Sequence, residues 1–317
     1  MEVLGYLALF IGSLAVLVKA SDWLVDSAEE IGLSFGLSPL VVGVTIVAFG
    51  TSLPELAASI AAVLADESEI VIGNVVGSNI ANFCLVLGLV AVISKSLRME
   101  FRVTDVDVPI LFISAVMLWF MARDLRIDWW EGIILFGGLI AFLISSFQPE
   151  EPEDEEVEEG KEEVEKIAAR PRTYVMLIVG AVLVWLSAVS TIQSIQFLST
   201  YAGIAPEVIA VTFVAIGTSL PEVVVSITAA RKGSAGMAVG NVLGSNIFNT
   251  FGVMSIPSFI GALTIPADIM NFGLPFMLGV TMLFVVLCLS KIISRWEGVF
   301  FLLLYVYFMA DTLAGVL

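Results

Sequence analysis

The chain of 317 residues contains no histidine, so it has no imidazole proton relay and no histidine metal ligand. It has only two cysteines, Cys84 and Cys288, each inside an apolar segment. Two lone thiols make neither a disulfide framework nor a metal motif, and both are expected to pack in the core. Charge is scarce: 14% of residues are charged and 59% hydrophobic, against about 25% charged in ordinary soluble domains. There is no G-x-x-x-x-G-K-S/T phosphate loop, so nothing points to ATP-driven transport, to a nucleotide or nucleic-acid partner, or to a cofactor. The apolar runs are continuous rather than alternating, which argues against a transmembrane β-barrel. The N-terminus lacks a basic n-region and a small-residue cleavage site, so the first apolar run is read as a retained helix.

What the chain has in abundance is apolar stretches of about 20 residues, the length needed to cross roughly 30 Å of hydrocarbon. The fold class read from them is an all-α polytopic membrane protein. Spans are expected near 3–20 (running longer and tilted), 39–64, 70–94, 106–121 and 131–147, then 173–199, 206–230, 236–261, 268–290 and 296–315. Between the two sets lies an acidic stretch. Residues 150–166 hold eleven acidic and two basic residues, so they carry nine of the chain's seventeen net negative charges. Such a block is solvated, and without EF-hand spacing it reads as a tether rather than a calcium sensor.

The two sets of spans repeat each other. Residues 41–60, VVGVTIVAFGTSLPELAASI, return as 208–227, VIAVTFVAIGTSLPEVVVSI, with thirteen of twenty positions identical. GNVVGSNIAN at 73–82 returns as GNVLGSNIFN at 240–249, and WWEGIIL at 129–135 as RWEGVFF at 295–301. The expected organisation is a first five-helix repeat at 1–148 and a second at 173–317, joined by a linker at 149–172. Five is an odd number, so the second repeat must enter the membrane from the opposite side: the repeats are inverted. With the N-terminus outside, twelve of the fourteen basic residues fall on the cytoplasmic side, and only Arg123 and Arg126 fall outside. Both termini are then outside and the linker is cytoplasmic.

Each copy of the first phrase puts a glutamate, Glu55 or Glu222, in the middle of a membrane-length segment. An ionisable residue there is costly and marks function. Pro54 has no N–H for the carbonyl of Gly50, so the helix is expected to kink or break at this point, leaving loosened carbonyls. Thr51 and Glu55 share a face, with Ala48 three residues before. The second copy offers Ala215, Thr218, Ser219 and Glu222 in the same order. The second phrase adds polar stripes, Asn74, Ser78 and Asn82, and then Asn241, Ser245 and Asn249. Gly73, Gly77, Gly240 and Gly244 permit close helix approach. Taken singly, each proline, hydroxyl or glycine has a structural explanation; the duplicated buried glutamate does not.

This all-oxygen donor set suits hard cations such as Ca²⁺ or Na⁺. Two glutamates balance one Ca²⁺ or two Na⁺. Left empty in a dry site they repel, and a bound cation or a proton relieves the repulsion. Charge counting therefore admits Ca²⁺, Na⁺ and H⁺ alike. A cation channel is a further reading, although internal inverted symmetry is typical of alternating access. A serine enzyme lacks any base beside its Ser, so no covalent chemistry is expected.

With GTSLPE and GNxxGSNIxN each present twice, the chain resembles the α-1 and α-2 repeats of the cation/Ca²⁺ antiporter superfamily, and most of all the prokaryotic sodium/calcium exchangers. The matching regions are 39–94 and 206–261. The resemblance implies ten transmembrane helices, multi-pass insertion in a prokaryotic plasma membrane, and Ca²⁺/Na⁺ antiport, with H⁺/Ca²⁺ antiport on the same fold as the alternative. It implies a calcium position at Glu55, Glu222, Thr51 and Thr218. It implies flanking sodium positions at Ala48, Ser52 and Ser78 on one side and at Ala215, Ser219 and Ser245 on the other, with Asn82 and Asn249 lining the middle. Some relatives carry Asp where this chain has Asn249; the site then has two carboxylates rather than three, which argues against potassium co-transport. The first and sixth helices would slide past the rest. Their texts differ, since Asp22, Asp26, Glu29 and Glu30 have no acidic counterparts around Ser187–Thr200.

Overall fold

A computed structural model of the protein describes residues 2–94, 96–98, 106–147, 169–202 and 219–314. Most of the linker, and the residues 206–218 expected to begin the seventh helix, lie outside the described residues, and Ala215 and Thr218 with them.

The described helices are α1 (Glu2–Ser34), α2 (Pro39–Leu64), α3 (Glu69–Ser94), α4 (Val108–Met121), α5 (Trp129–Ser146), α6 (Pro171–Tyr201), α7 (Leu220–Arg231), α8 (235–258), α9 (Ile269–Cys288) and α10 (Arg295–Ala314). Short strands β1 (Ser96–Arg98), β2 (Arg126–Ile127), β3 (Leu263–Thr264) and β4 (Ile292–Ser294) lie between helices. Seven of the described helices are long and apolar enough to cross a membrane: α1, α2, α3, α5, α6, α9 and α10. The lipid-type surface is plain on α1 and α6, where Leu4, Ile11, Val175 and Ile178 stand exposed, while α2, α3 and α8 form the buried centre.

The first helix does run beyond 3–20, covering 33 residues to Ser34, about 50 Å at 1.5 Å per residue. One expectation needs correction: α2 does not break at Pro54. The α-helix Ala48–Leu64 runs through it, and the irregularity sits upstream in a π-helical turn at Gly43–Val47. The second copy behaves differently. Described helix α7 begins at Leu220 with Pro221 in its first turn, where a proline costs no hydrogen bond. Further π-helical turns open at Asn82, Asn249 and Ile269, a feature common near functional sites.

Helices α1 and α6 lie antiparallel along their length. The Tyr6 and Phe197 rings stack with centroids 3.7 Å apart, Thr191 Oγ1 donates to Ser13 Oγ at 2.8 Å, and Thr173 Oγ1 donates to Glu30 Oε1 at 2.8 Å. Helices α2 and α8 press backbone against backbone. A side chain at Gly244 would run into the carbonyl of Val44, and one at Gly240 into that of Leu40. Gly73 and Gly77 meet nothing comparable among the described residues. The strands pair crosswise and antiparallel, β1 with β4 (Ser96 opposite Ser294) and β2 with β3 (Arg126 opposite Thr264).

Candidate cation site

Glu55, in the interior of α2, and Glu222, in the first turn of α7, are both fully buried. None of their four carboxylate oxygens accepts a hydrogen bond among the described residues. Glu55 and Glu222 lie close enough for their charges to interact, and Thr51 and Ser52 lie near Glu222. Burying an ionised carboxylate without a partner costs several kcal/mol. Two side by side, with no donor, form a site that a cation would complete.

The hydroxyls near them come from both repeats. Thr51 Oγ1 lies 3.2 Å from Asn241 Oδ1, 3.3 Å from the Ala48 carbonyl and 3.5 Å from Ser245 Oγ. Ser245, expected beside Ala215 and Ser219, stands among the described residues beside Thr51 of the other repeat, while Ala215 lies outside the described residues. The cause is the close contact of α2 with α8 at Gly240 and Gly244. Ser52 and Ser219 are fully buried with hydroxyl oxygens that have no partner among the described residues. Ser78 is buried on α3.

Two amides of the polar stripes tie neighbouring helices together. Asn74 Nδ2 donates to the Glu55 carbonyl at 3.3 Å and to Ser59 Oγ at 3.2 Å. Asn241 Nδ2 donates to Ser226 Oγ at 2.9 Å. Each amino group ties its own α2–α3 or α7–α8 pair together.

Asn82 and Asn249 are buried at the openings of their π turns, and each leaves its Oδ1 without a partner among the described residues. Their amide nitrogens are engaged: Asn82 Nδ2 donates to Asn246 Oδ1 at 3.0 Å, and Asn249 Nδ2 donates to Asn79 Oδ1 at 3.3 Å. The turn at Asn82 packs against α7, which carries Glu222, and the turn at Asn249 packs against α2, which carries Glu55. Sequence reasoning passed over Asn79 and Asn246. The signal was present, since both lie in the GSNI text repeated letter for letter.

The acidic residues peculiar to α1 have partners elsewhere. Lys232 Nζ, just after α7, lies 3.4 Å from Asp22 Oδ1 and 2.6 Å from Asp26 Oδ1. Ser234 Oγ donates to Glu29 Oε1 at 3.2 Å, and Thr173 reaches Glu30. The counterpart of Lys232 in the first repeat is Ala65. Acid on α1 and base after α7 are two sides of one asymmetric contact. Cys84 and Cys288 are buried free thiols, as core packing requires. Among the described residues no three Cys, Asp or Glu side chains gather into a metal-type cluster, so Glu55 and Glu222 stand as a pair.

The sodium/calcium exchanger protein family matches residues 5–148 and 172–312. Sodium/calcium exchanger MaX1 of Methanosarcina acetivorans is 34% identical over 98% of both chains. Inner membrane protein YrbG of Escherichia coli is 30% identical over 92% of this chain and 91% of its own. Among solved structures, the sodium-calcium exchanger NCX_Mj soaked without Na⁺ and Ca²⁺ superposes with a TM-score of 0.84 at 29% identity, covering 98% of this chain and 99% of that one. The family and fold are those of membrane transporters rather than enzymes. The chain belongs to the sodium/calcium exchanger family.

Proposed function

We propose that the protein is a secondary antiporter that moves Ca²⁺ one way and Na⁺ the other, with access alternating around one all-oxygen site at mid-membrane. The observation that carries this reading is the pair Glu55 and Glu222, fully buried and without a hydrogen-bond donor among the described residues. Two negative charges balance one Ca²⁺ or two Na⁺. A site that needs a counter-charge in both states cannot return empty at low cost, and that obligation is the basis of coupling. Thr51, Ser52, Ser219, Ser78, Ser245, Asn82 and Asn249 supply neutral oxygens around the carboxylates, with Ala48, Ala215 and Thr218 completing the set. Sodium as the coupling ion is supported by the names of MaX1 and NCX_Mj.

The accompanying architecture is ten spans in two inverted repeats, 1–148 and 173–317. Two observations support it. Repeat-equivalent helices α1 and α6 lie antiparallel. The strands equivalent by repeat are β1 with β3 and β2 with β4, yet β1 pairs with β4 and β2 with β3. Helix α4 separates β1 from β2, so equivalent linkers end on opposite sides. The N-out, C-out orientation with a cytoplasmic linker at 149–172 rests on the basic-residue bias.

The test is ⁴⁵Ca²⁺ uptake into proteoliposomes loaded with Na⁺. Uptake driven by an outward Na⁺ gradient supports the reading. Uptake driven by a pH gradient and not by Na⁺ makes it an H⁺/Ca²⁺ antiporter, and flux that needs no counter-ion makes it a channel.

A further inference from the structure

The repeat places asparagines at 79, 82, 246 and 249, and the four form one buried amide network between α3 and α8. Its bonds are reciprocal. Asn82 of the first repeat donates to Asn246 of the second, and Asn249 of the second donates to Asn79 of the first. Exchanging each residue for its repeat equivalent, 167 positions away, turns one bond into the other.

An asparagine offers a cation site either a carbonyl oxygen or an amino group, and rotation by half a turn exchanges them. Only the oxygen binds a cation. What decides the orientation is where the amino group finds an acceptor. Here both acceptors come from the second pair: Asn79 Oδ1 and Asn246 Oδ1 take the amino groups of Asn249 and Asn82. The remaining oxygens, Asn82 Oδ1 and Asn249 Oδ1, are buried without a partner among the described residues.

Asn79 has its own orientation set by an acceptor that cannot turn round. Its Nδ2 lies 3.4 Å from the backbone carbonyl of Asn246, and it also donates to Thr250 Oγ1 at 3.0 Å. Its Oδ1 must then face Asn249. Asn246 lacks this second anchor: its Nδ2 has no partner among the described residues. The Asn79–Asn249 arm is therefore the more firmly oriented of the two.

We infer that Asn79 and Asn246 are positioning residues that hold the amides of Asn82 and Asn249 with their carbonyl oxygens, and not their amino groups, toward the transported cation. The inference rests on the antiport reading above and adds a specificity device to it. The middle of the site stays neutral and oxygen-lined, because each ligand amide has its donor consumed by an amide of the opposite repeat.

The experiment is a double-mutant cycle on the full-length protein in proteoliposomes, reading the half-saturating Ca²⁺ concentration separately from the maximal rate. Outer-shell partners of metal ligands typically matter by about 10- to 100-fold in affinity. Asn79→Leu is expected to raise half-saturation by about tenfold or more, and to have no further effect in an Asn249→Ala background. A residue that only supports the fold would lower the amount of active protein equally in both backgrounds and leave half-saturation alone. The inference is overturned if Asn79→Leu leaves half-saturation unchanged, or if it raises it by the same factor in the Asn249→Ala background. Asn246→Leu read against Asn82→Ala is the second cycle, with a smaller rise expected, and it decides the matter if Asn79→Leu does not fold. Wild-type protein that neither binds nor exchanges Ca²⁺ would sink the antiport reading itself. Wild-type exchange with both cycles additive would sink only the positioning role.

Discussion

Asn74 and Asn241 hold equivalent places in the two repeats and make the same bond, Asn74 Nδ2 to Ser59 Oγ at 3.2 Å and Asn241 Nδ2 to Ser226 Oγ at 2.9 Å. Both bonds are buried, and in each the donor helix follows its acceptor helix directly. Leaving a buried hydroxyl or carbonyl without its partner costs about 1–3 kcal/mol. Asn74→Ala and Asn241→Ala are each expected to lower the thermal unfolding midpoint of the purified protein. Asn241→Ala should also impair Ca²⁺ exchange, because Asn241 Oδ1 additionally meets Thr51. Equal transport in the two variants would show that the Thr51 contact is idle.

Glu55→Gln and Glu222→Gln each remove one of the pair's two charges while keeping shape. Each is expected to abolish ⁴⁵Ca²⁺ exchange. Neither should unfold the protein, since a buried neutral amide is less costly than an unpaired carboxylate. Stabilisation by Ca²⁺ in a thermal-shift assay should vanish with exchange. Near-normal exchange in either variant would rule that residue out as a cation ligand.

Thr51 and Ser245 belong to different repeats but stand 3.5 Å apart. Residues in contact around a shared ligand are coupled, while distant ones add within about 0.3–0.5 kcal/mol. Thr51→Val and Ser245→Ala should therefore combine non-additively in Na⁺-dependent uptake. Strict additivity would show that the two hydroxyls act independently.

At Gly244 a Cβ would strike the Val44 carbonyl on α2. Backbone cannot give way as a flexible side chain does, and overpacking typically costs about 1–3 kcal/mol. Gly244→Val should reduce folded yield and separate Ser245 from Thr51, so exchange falls with stability. A fully stable, fully active Gly244→Val would mean that α2 and α8 do not need this approach.

Lys232 pairs with Asp22 and Asp26 at the surface, with its side chain about a quarter exposed at 27%. Surface pairs are worth about 0–1 kcal/mol. Lys232→Ala is expected to shift the unfolding midpoint little, in contrast to the Asn74 and Gly244 variants. A loss as large as theirs would mark the α1 contact as a major tie.

Much of this protein could be read from its letters. Period-long apolar runs reveal helices because hydrocarbon leaves backbone groups no partners but each other, so span limits such as 39–64 and 70–94 follow from composition. Duplication pointed to Glu55 and Glu222 because a charge is never placed in that solvent by accident. Tertiary structure alone decided which oxygens face which. It set Ser245 against Thr51, turned Asn74 and Asn241 into helix ties, enlisted Asn79 and Asn246, and gave the acids of α1 a lysine 210 residues away from Asp22. Sequence spacing reports the faces within one helix. The partner across an interface depends on how closely two backbones approach, and here glycines of the second repeat set that distance against the first.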